Sequence, residues 1–77
     1  MNPTHKVRKY HRVREHKSFP VLEKWINDQK KKRYIVSCGI TIYRNKCKAY
    51  IFGYSGMGTA SLGKPKATNI SIVEKHE

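Results

Sequence analysis

The sequence predicts a small α+β domain in which one amphipathic helix packs on an antiparallel sheet of about three strands, preceded by a basic N-terminal arm. Three observations predict this fold. An apolar stripe at helical spacing follows Pro20, two runs of β-branched and aromatic residues are separated by three polar ones, and a block of positive charge precedes the helix. With 77 residues, the chain is long enough for one domain with a thin core.

Residues 1–17 form the predicted arm, and residues 18–77 form the predicted α+β domain. The arm holds three histidines and one acid, Glu15, among six cations. A block of like charges repels itself and stays mobile until phosphates screen it, so we expect a flexible segment that binds phosphate groups. A solvated tail is the alternative. The cations are Lys6, Arg8, Lys9, Arg12, Arg14 and Lys17.

The helix is predicted to begin near Ser18, which stands at an N-cap position. Pro20 falls in the first turn, where its missing N–H costs nothing. The apolar residues that follow share one face, and Trp25 is the predicted core anchor. They are Val21, Leu22, Trp25 and Ile26.

Four consecutive cations end the predicted helix: Lys30, Lys31, Lys32 and Arg33. Cations at this end complement the helix macrodipole, but four exceed what the dipole needs. We therefore expect a phosphate-facing patch, with a solvated helix end as the alternative.

The strongest hairpin signal covers residues 34–43 and 47–54, which are rich in β-branched and aromatic side chains. A two-residue turn at Asn45-Lys46 would join them. The expected pairs are Ile42 with Ala49, Ile40 with Ile51, and Cys38 with Gly53, which with Val36 and Cys47 form an aliphatic face for the helix.

The same register places an aromatic and basic set on the opposite face. That set is Tyr43, Tyr50, Phe52 and Tyr54 with Lys48 and Thr41, while Arg44 and Lys46 add charge at the turn. A slip of one residue would exchange the two faces and bury the aromatic rings instead, and the sequence leaves both registers open.

Glycines interleaved with Ser and Thr predict a flexible connection over residues 53–64. Residues 67–73 then alternate β-branched side chains, which favours a third strand over a helix. Residues 58–64 match the first part of a phosphate-binding loop, but Pro65 stands where that loop needs Ser or Thr. A nucleotide site is therefore not expected, although the glycines allow a close approach to phosphate.

No metal, cofactor or catalytic residue is expected from the sequence. Cys38 and Cys47 lack the C-x-x-C spacing of a metal site, and we interpret them as reduced packing residues. The few acids are scattered, so no acid–base pair emerges. The sequence also has no apolar run of membrane-spanning length and no signal-peptide pattern, so we expect a protein that acts inside a cell.

Residues 20–67 resemble a double-stranded-RNA-binding domain, an α-β-β-β-α module. Val21, Leu22 and Trp25 resemble the apolar pattern of its first helix, and residues 34–54 resemble two of its strands. Gly56-Met57-Gly58 followed by Lys64-Pro65-Lys66-Ala67 resembles its glycine turn and lysine motif. The resemblance implies an RNA partner, with a phosphate contact from Lys64 and, less directly, from Lys66.

The net charge of +12 points to nucleic acid as the partner, because cations that neutralise phosphates release bound counterions. We expect noncatalytic binding, with RNA favoured over DNA since aromatic rings on a basic sheet can stack unpaired bases. Three alternatives stay open. The protein binds a double helix, it is a small virus- or phage-type regulator that docks on an acidic patch of a host protein, or it is a small ribonuclease using His11 or His16.

Overall fold

The computed structural model describes residues 7–56, 59, 62–63 and 69–75, and it confirms the α+β class predicted from the sequence. Within these residues, one helix packs on a sheet of four strands, one more than expected. In chain order the elements are β1 (Arg8–His16), α1 (Phe19–Lys32), β2 (Tyr34–Tyr43), β3 (Lys46–Ser55) and β4 (Ser71–Lys75).

The sheet is mixed, whereas an antiparallel sheet was expected. Its strand order is β1-β3-β2-β4, with β1 and β2 both antiparallel to β3 and β4 parallel to β2. The chain leaves β3 at the end of the sheet where β2 begins and then passes to the far side of β2. The next strand therefore runs in the same direction as β2.

The first strand corrects the prediction of a flexible arm for residues 8–16. These residues pair along their whole length with β3, from Arg8 opposite Ser55 to His16 opposite Cys47. The charge block indicated self-repulsion, but pairing with β3 gives this edge strand a ladder of backbone hydrogen bonds along one side. Two of its arginines also lie over aromatic rings, Arg12 over Tyr10 and Arg14 over Trp25. The boundary of the fold therefore lies before Arg8 and not at residue 18.

The helix begins and ends as its sequence predicts. Ser18 takes the extended N-cap conformation, although its side chain makes no capping hydrogen bond, and Pro20 lies in the first turn. At the other end the backbone N–H of Arg33 donates to the Gln29 carbonyl at 2.9 Å. The residues that anchor the helix in the core are Leu22 and Ile26, both fully buried.

Trp25 is not the core anchor that the sequence predicted. It is half-buried and packs against the margin of the core, and Val21 is exposed. Leu22 and Ile26 are four residues apart and point straight at the sheet, whereas Trp25 lies to one side of that line. Its wide ring therefore covers the rim of the core.

The hairpin between β2 and β3 forms, with its turn one position earlier than predicted. Arg44 and Asn45 make the turn, and Arg44 takes a positive φ of 51°. The observed pairs are Ile42 with Cys47, Ile40 with Ala49, and Cys38 with Ile51. This register differs from the predicted one by two residues on one strand, so every side chain keeps its predicted face.

A β-bulge near the start of β2 displaces Val36 from the predicted aliphatic face. The pairing shifts between Ile35 and Ser37, so that Ile35 lies opposite Gly53 and is fully buried. Val36 is exposed. Because a bulge adds one residue to one strand, it inverts the alternation of the residues before it.

The core lies between α1 and one face of the sheet. Both cysteines belong to it, and both are buried free thiols, as the sequence predicted. The buried residues are Leu22, Ile26, Ile35, Cys38, Ile40, Cys47, Ala49 and Ile51.

The third predicted strand is the fourth of the sheet. β4 covers Ser71–Lys75, later than the predicted 67–73, of which residues 67 and 68 lie outside the described part of the chain. Gly53, which was predicted both to end the second hairpin strand and to open the flexible connection, is a buried residue of β3.

Candidate nucleic-acid interface

The helix covers one face of the sheet, and we call the other the open face, since no helix of the described chain packs on it. The pairing register and the alternation of side chains assign residues to this face. The central strand β3 contributes Tyr54, Phe52, Tyr50, Lys48 and Lys46, and β2 contributes Tyr34, Ser37, Gly39, Thr41 and Tyr43. From the flanking strands come Lys9, His11, Val13, Glu15, Ser71, Val73 and Lys75.

Four rings on this face form what we call the aromatic row: Tyr34, Tyr54, Phe52 and Tyr50. The ring centroids of Tyr34 and Tyr54 are 6.3 Å apart, and those of Phe52 and Tyr54 are 6.1 Å apart. His11 on β1 meets Phe52 edge to face at 6.3 Å. The interplanar angles are 52° for Tyr34 with Tyr54, 59° for Phe52 with Tyr54 and 63° for His11 with Phe52. These rings therefore support each other while parts of their surfaces stay exposed.

Tyr50 is held in place at its hydroxyl and at the ring face that lies on the sheet. Its hydroxyl lies 3.2 Å from the Ser37 hydroxyl across the strands. The ring itself lies over Gly39, where an added Cβ would be only 2.7 Å from its Cε1 atom. With 37 % of its surface exposed, Tyr50 presents a fixed ring to solvent.

Lysines flank the aromatic row on the open face. Lys9 lies opposite Tyr54 on β1. At the other end of the face a cavity of about 350 Å³ is lined by three lysines and one acid, together with Thr41, Tyr43 and Cys47; the charged residues are Lys46, Lys48, Lys75 and Glu15. Glu15, opposite Lys48, is the one acid that the described residues place on this face. The face is therefore positively charged at both ends and aromatic in the middle.

The arginines of β1 lie on the helix side, away from the aromatic row. Arg12 and Arg33 place their guanidinium groups 4.5 and 4.3 Å from the centre of the Tyr10 ring, and Arg14 lies 5.8 Å from that of Trp25. The contacts of Arg33 with Tyr10 and of Arg14 with Trp25 tie β1 to the helix and its C-terminal cap. The predicted binding cations are therefore divided between the two faces of the sheet.

Gln29 joins this helix-side cluster by hydrogen bonds. Its Oε1 accepts from Nη1 of Arg33 at 2.7 Å and from the Tyr10 hydroxyl at 3.3 Å. Arg33 thus has a fixed position at the end of α1.

The four cations at the end of α1 line a cleft of about 240 Å³, which we call the basic cleft. Among the described residues, Tyr34, Thr59 and Gly63 also line it. The helix end supplies the cations, and Thr59 and Gly63 lie on the opposite side. The sequence predicted these cations as a patch, but it did not predict a cleft, because Thr59 and Gly63 are distant in the chain.

The remaining predicted site residues lie elsewhere. Arg8 is on the helix side at the start of β1, Lys17 is exposed between β1 and α1, and Arg44 is in the hairpin turn. Lys6, Lys64 and Lys66 lie outside the described residues. Sequence reasoning missed Tyr34 and Lys75 and named His11 only for the ribonuclease alternative. His11 lies opposite Phe52 through the long-range pairing of β1 with β3, and the bulge conceals the face of Tyr34.

Three described side chains, Cys38, His11 and His16, lie in separate surroundings. Burial raises the pKa of the Cys38 thiol, an effect that the charge of Lys30 partly opposes, so the thiol is a weak nucleophile. His11 and His16 lie on opposite faces of β1. His16 accepts a hydrogen bond from the Ser18 N–H at 2.9 Å, while His11 contacts Phe52. Within the described ranges, no three potential metal ligands come together, and no helix could cross a membrane.

No family model matches this chain, and neither the curated proteins nor the solved structures compared with it give a match.

Proposed function

We propose that the protein binds single-stranded nucleic acid, RNA in preference to DNA, on the open face of its sheet and without catalysing a reaction. The observation that carries the proposal is the aromatic row. Three of its rings contact one another in sequence, and Tyr50, held by Ser37, shares the same face, which no helix of the described chain covers. Each base stacked on such a ring contributes about 1–3 kcal/mol, whichever base it is.

The lysines at the two ends of the open face supply the electrostatic part of binding. Lys9 near one end and Lys46, Lys48 and Lys75 near the other lie where the backbone of a strand crossing the row would pass. Neutralising phosphates releases counterions, which adds affinity without base specificity. One acid, Glu15, opposes four lysines among the described residues of this face.

A preference for RNA is supported by two hydroxyl groups beside the row. Thr41 and Ser71 share the open face with Tyr50, and a side-chain hydroxyl can donate to or accept from the 2′-OH that only RNA carries. A protein with this function acts where its nucleic acid is found, in the cytoplasm or in the nucleoid or nucleus.

Replacing Phe52 tests the proposal. In Phe52→Leu an apolar side chain remains but the ring is lost, so affinity for a single-stranded RNA should fall about tenfold, the loss of one stacked base. Phe52→Tyr keeps the ring and is the matched control, with an affinity within about twofold of the native protein. Binding is measured by fluorescence anisotropy of a labelled oligonucleotide, and circular dichroism verifies the fold of each variant.

Duplex RNA is the comparison ligand, because residues 20–67 resemble a double-stranded-RNA-binding domain. Bases in a duplex are already stacked, so Phe52→Leu should leave duplex binding nearly unchanged. An equal loss for both ligands, or an undiminished affinity for the single strand in a folded variant, contradicts the proposal.

A further inference from the structure

The basic cleft has the composition of an anion site. Four consecutive cations line it, from Lys30 to Arg33, and its described lining contains no acid. Its volume of about 240 Å³ is several times the roughly 30 Å³ of a water molecule, so a phosphate group fits within it.

The side chains must provide the attraction in this cleft, since the helix end itself does not. The carbonyl end of a helix carries a partial negative charge and repels anions. An anion bound in the cleft is therefore held by the side-chain cations. Their four positive charges exceed the single negative charge of an internal phosphate. A terminal phosphate carries a charge of about −1.5 to −2 at neutral pH, more than the single charge of an internal phosphate.

Arg33 is already fixed before any ligand binds. Its guanidinium lies 4.3 Å from the Tyr10 ring centre and donates to Gln29 at 2.7 Å. A guanidinium has five N–H donors, so others remain for a phosphate oxygen. Because the side chain is fixed, little conformational entropy is lost when it binds an anion.

Tyr34 connects the basic cleft with the aromatic row. It lines the cleft, and its ring centroid is 6.3 Å from that of Tyr54, the next ring of the row. When a phosphate occupies the cleft, the nucleotide that carries it therefore lies beside Tyr34, the first ring on which a base can stack.

From these contacts we infer that the basic cleft binds a terminal phosphate of the strand whose neighbouring bases stack on the aromatic row. The inference rests on the proposed function and adds a polarity to it. The strand begins at the cleft, passes Tyr34 and Tyr54, and continues along β3 toward Lys48. Binding should then depend on which end of the strand carries the phosphate.

Three versions of one short single-stranded RNA test the inference: one with a 5′-phosphate, one with a 3′-phosphate, and one with neither. A phosphate at one end should raise affinity about fivefold to tenfold, as expected for new charge-assisted hydrogen bonds. The same phosphate at the other end should change affinity less than about twofold, although it adds the same charge.

Variants of the cleft locate the effect. In the double variant Lys31→Ala/Lys32→Ala, the phosphate at the favoured end should raise affinity less than about twofold. The double variant Lys31→Arg/Lys32→Arg keeps the positive charge and should retain the full increase in affinity. Both lysines are exposed and alanine suits a helix, so these variants should fold. Lys24→Ala, a change on the same helix outside the cleft lining, should also retain the gain.

Equal gains at both ends, no gain at either end, or a gain that survives the double alanine variant would overturn the inference. The proposed function fails by a different result, namely an affinity for the unphosphorylated strand that does not depend on the Phe52 ring. The further inference and the proposed function are therefore tested by separate measurements.

Discussion

Gly39 lies beneath the ring of Tyr50, and its missing side chain lets that ring rest on the sheet. A Cβ there would come within 2.7 Å of the ring and 2.9 Å of the Ser71 carbonyl oxygen on β4. Gly53 meets a tighter restriction, since a Cβ would collide with the Tyr34 carbonyl oxygen and lie 2.7 Å from the Ile35 Cα. Two glycines thus allow the strands and the aromatic row to pack closely.

Gly53→Ala should destabilise the fold by about 1–3 kcal/mol or more, because the clash is with backbone atoms that cannot turn aside. Chemical denaturation monitored by circular dichroism measures the free energy of unfolding. Ser55→Ala, two residues further along the same strand, is the control and should change it by less than about 0.5 kcal/mol. A Gly53→Ala variant as stable as the native protein would show that the strands are not packed this closely.

The buried Cys38 thiol predicts a loss of stability at alkaline pH. Burial raises its pKa in the folded state above the ordinary 9.0, so above that pH the unfolded chain releases its proton first. The free energy of unfolding should therefore fall as the pH rises from about 8 to 10, and more steeply than in Cys38→Ala. Identical slopes in the two proteins would contradict the burial of this thiol.

Residue-level predictions from the sequence succeeded where alternation alone decides the face. Tyr43, Tyr50, Phe52 and Tyr54 share one face as expected, since the two-residue error in the hairpin register preserves alternation. Val36 was assigned to the wrong face because no residue in the sequence marks the bulge beside it. How far an apolar residue enters the core also depends on packing, as the half-buried Trp25 shows.

Among the elements, α1 and the hairpin were predictable because each is specified by local periodicity. β1 was not predictable from local periodicity, because only Tyr10 of this strand packs against the core and the rest of the strand is mostly charged. The strand is held by pairing with β3 and by contacts with α1, and these contacts join residues that are distant in the chain. The parallel pairing of β4 with β2 is likewise a long-range contact that no local pattern encodes.

Tyr10→Ala tests whether β1 belongs to the folded domain. The substitution removes a ring that packs on the core, receives two guanidinium groups and donates to Gln29. The free energy of unfolding should fall by about 2–4 kcal/mol, somewhat less than for a fully buried ring.

Val13→Ala is the matched control for Tyr10→Ala, since it lies on the same strand but on the open face with 48 % of its surface exposed. This substitution should lower the free energy of unfolding by less than about 1 kcal/mol. Equal, small effects of both changes would mean that residues 8–16 form a flexible arm after all.

At the scale of the whole molecule, positive charge covers both faces of the sheet, whereas the aromatic row lies on one. Residues 1–33 carry a net charge of +8 and the remaining 44 residues carry +4. The sequence predicted phosphate binding by the arm and by the helix end. In the structure the β1 arginines stack on the helix side, while Lys9 and the lysines of β3 and β4 flank the row.

The position of the one tryptophan is useful here, because Trp25 lies on the helix side and the proposed interface lies on the other. Its fluorescence therefore reports on the fold and should change little when a strand binds the open face. The amide signals of the sheet report on binding itself.

Mapping the amide chemical shifts during titration with a single-stranded RNA tests the proposed interface most directly. The largest shifts should fall on β3 and β2 at the aromatic row, from Tyr34 through Tyr54 and Phe52 to Tyr50, and at Lys9. Leu22 and Ile26 on the buried face of α1 should shift little. Shifts concentrated at Arg12, Arg14 and the helix, with the aromatic row unchanged, would contradict binding on the open face.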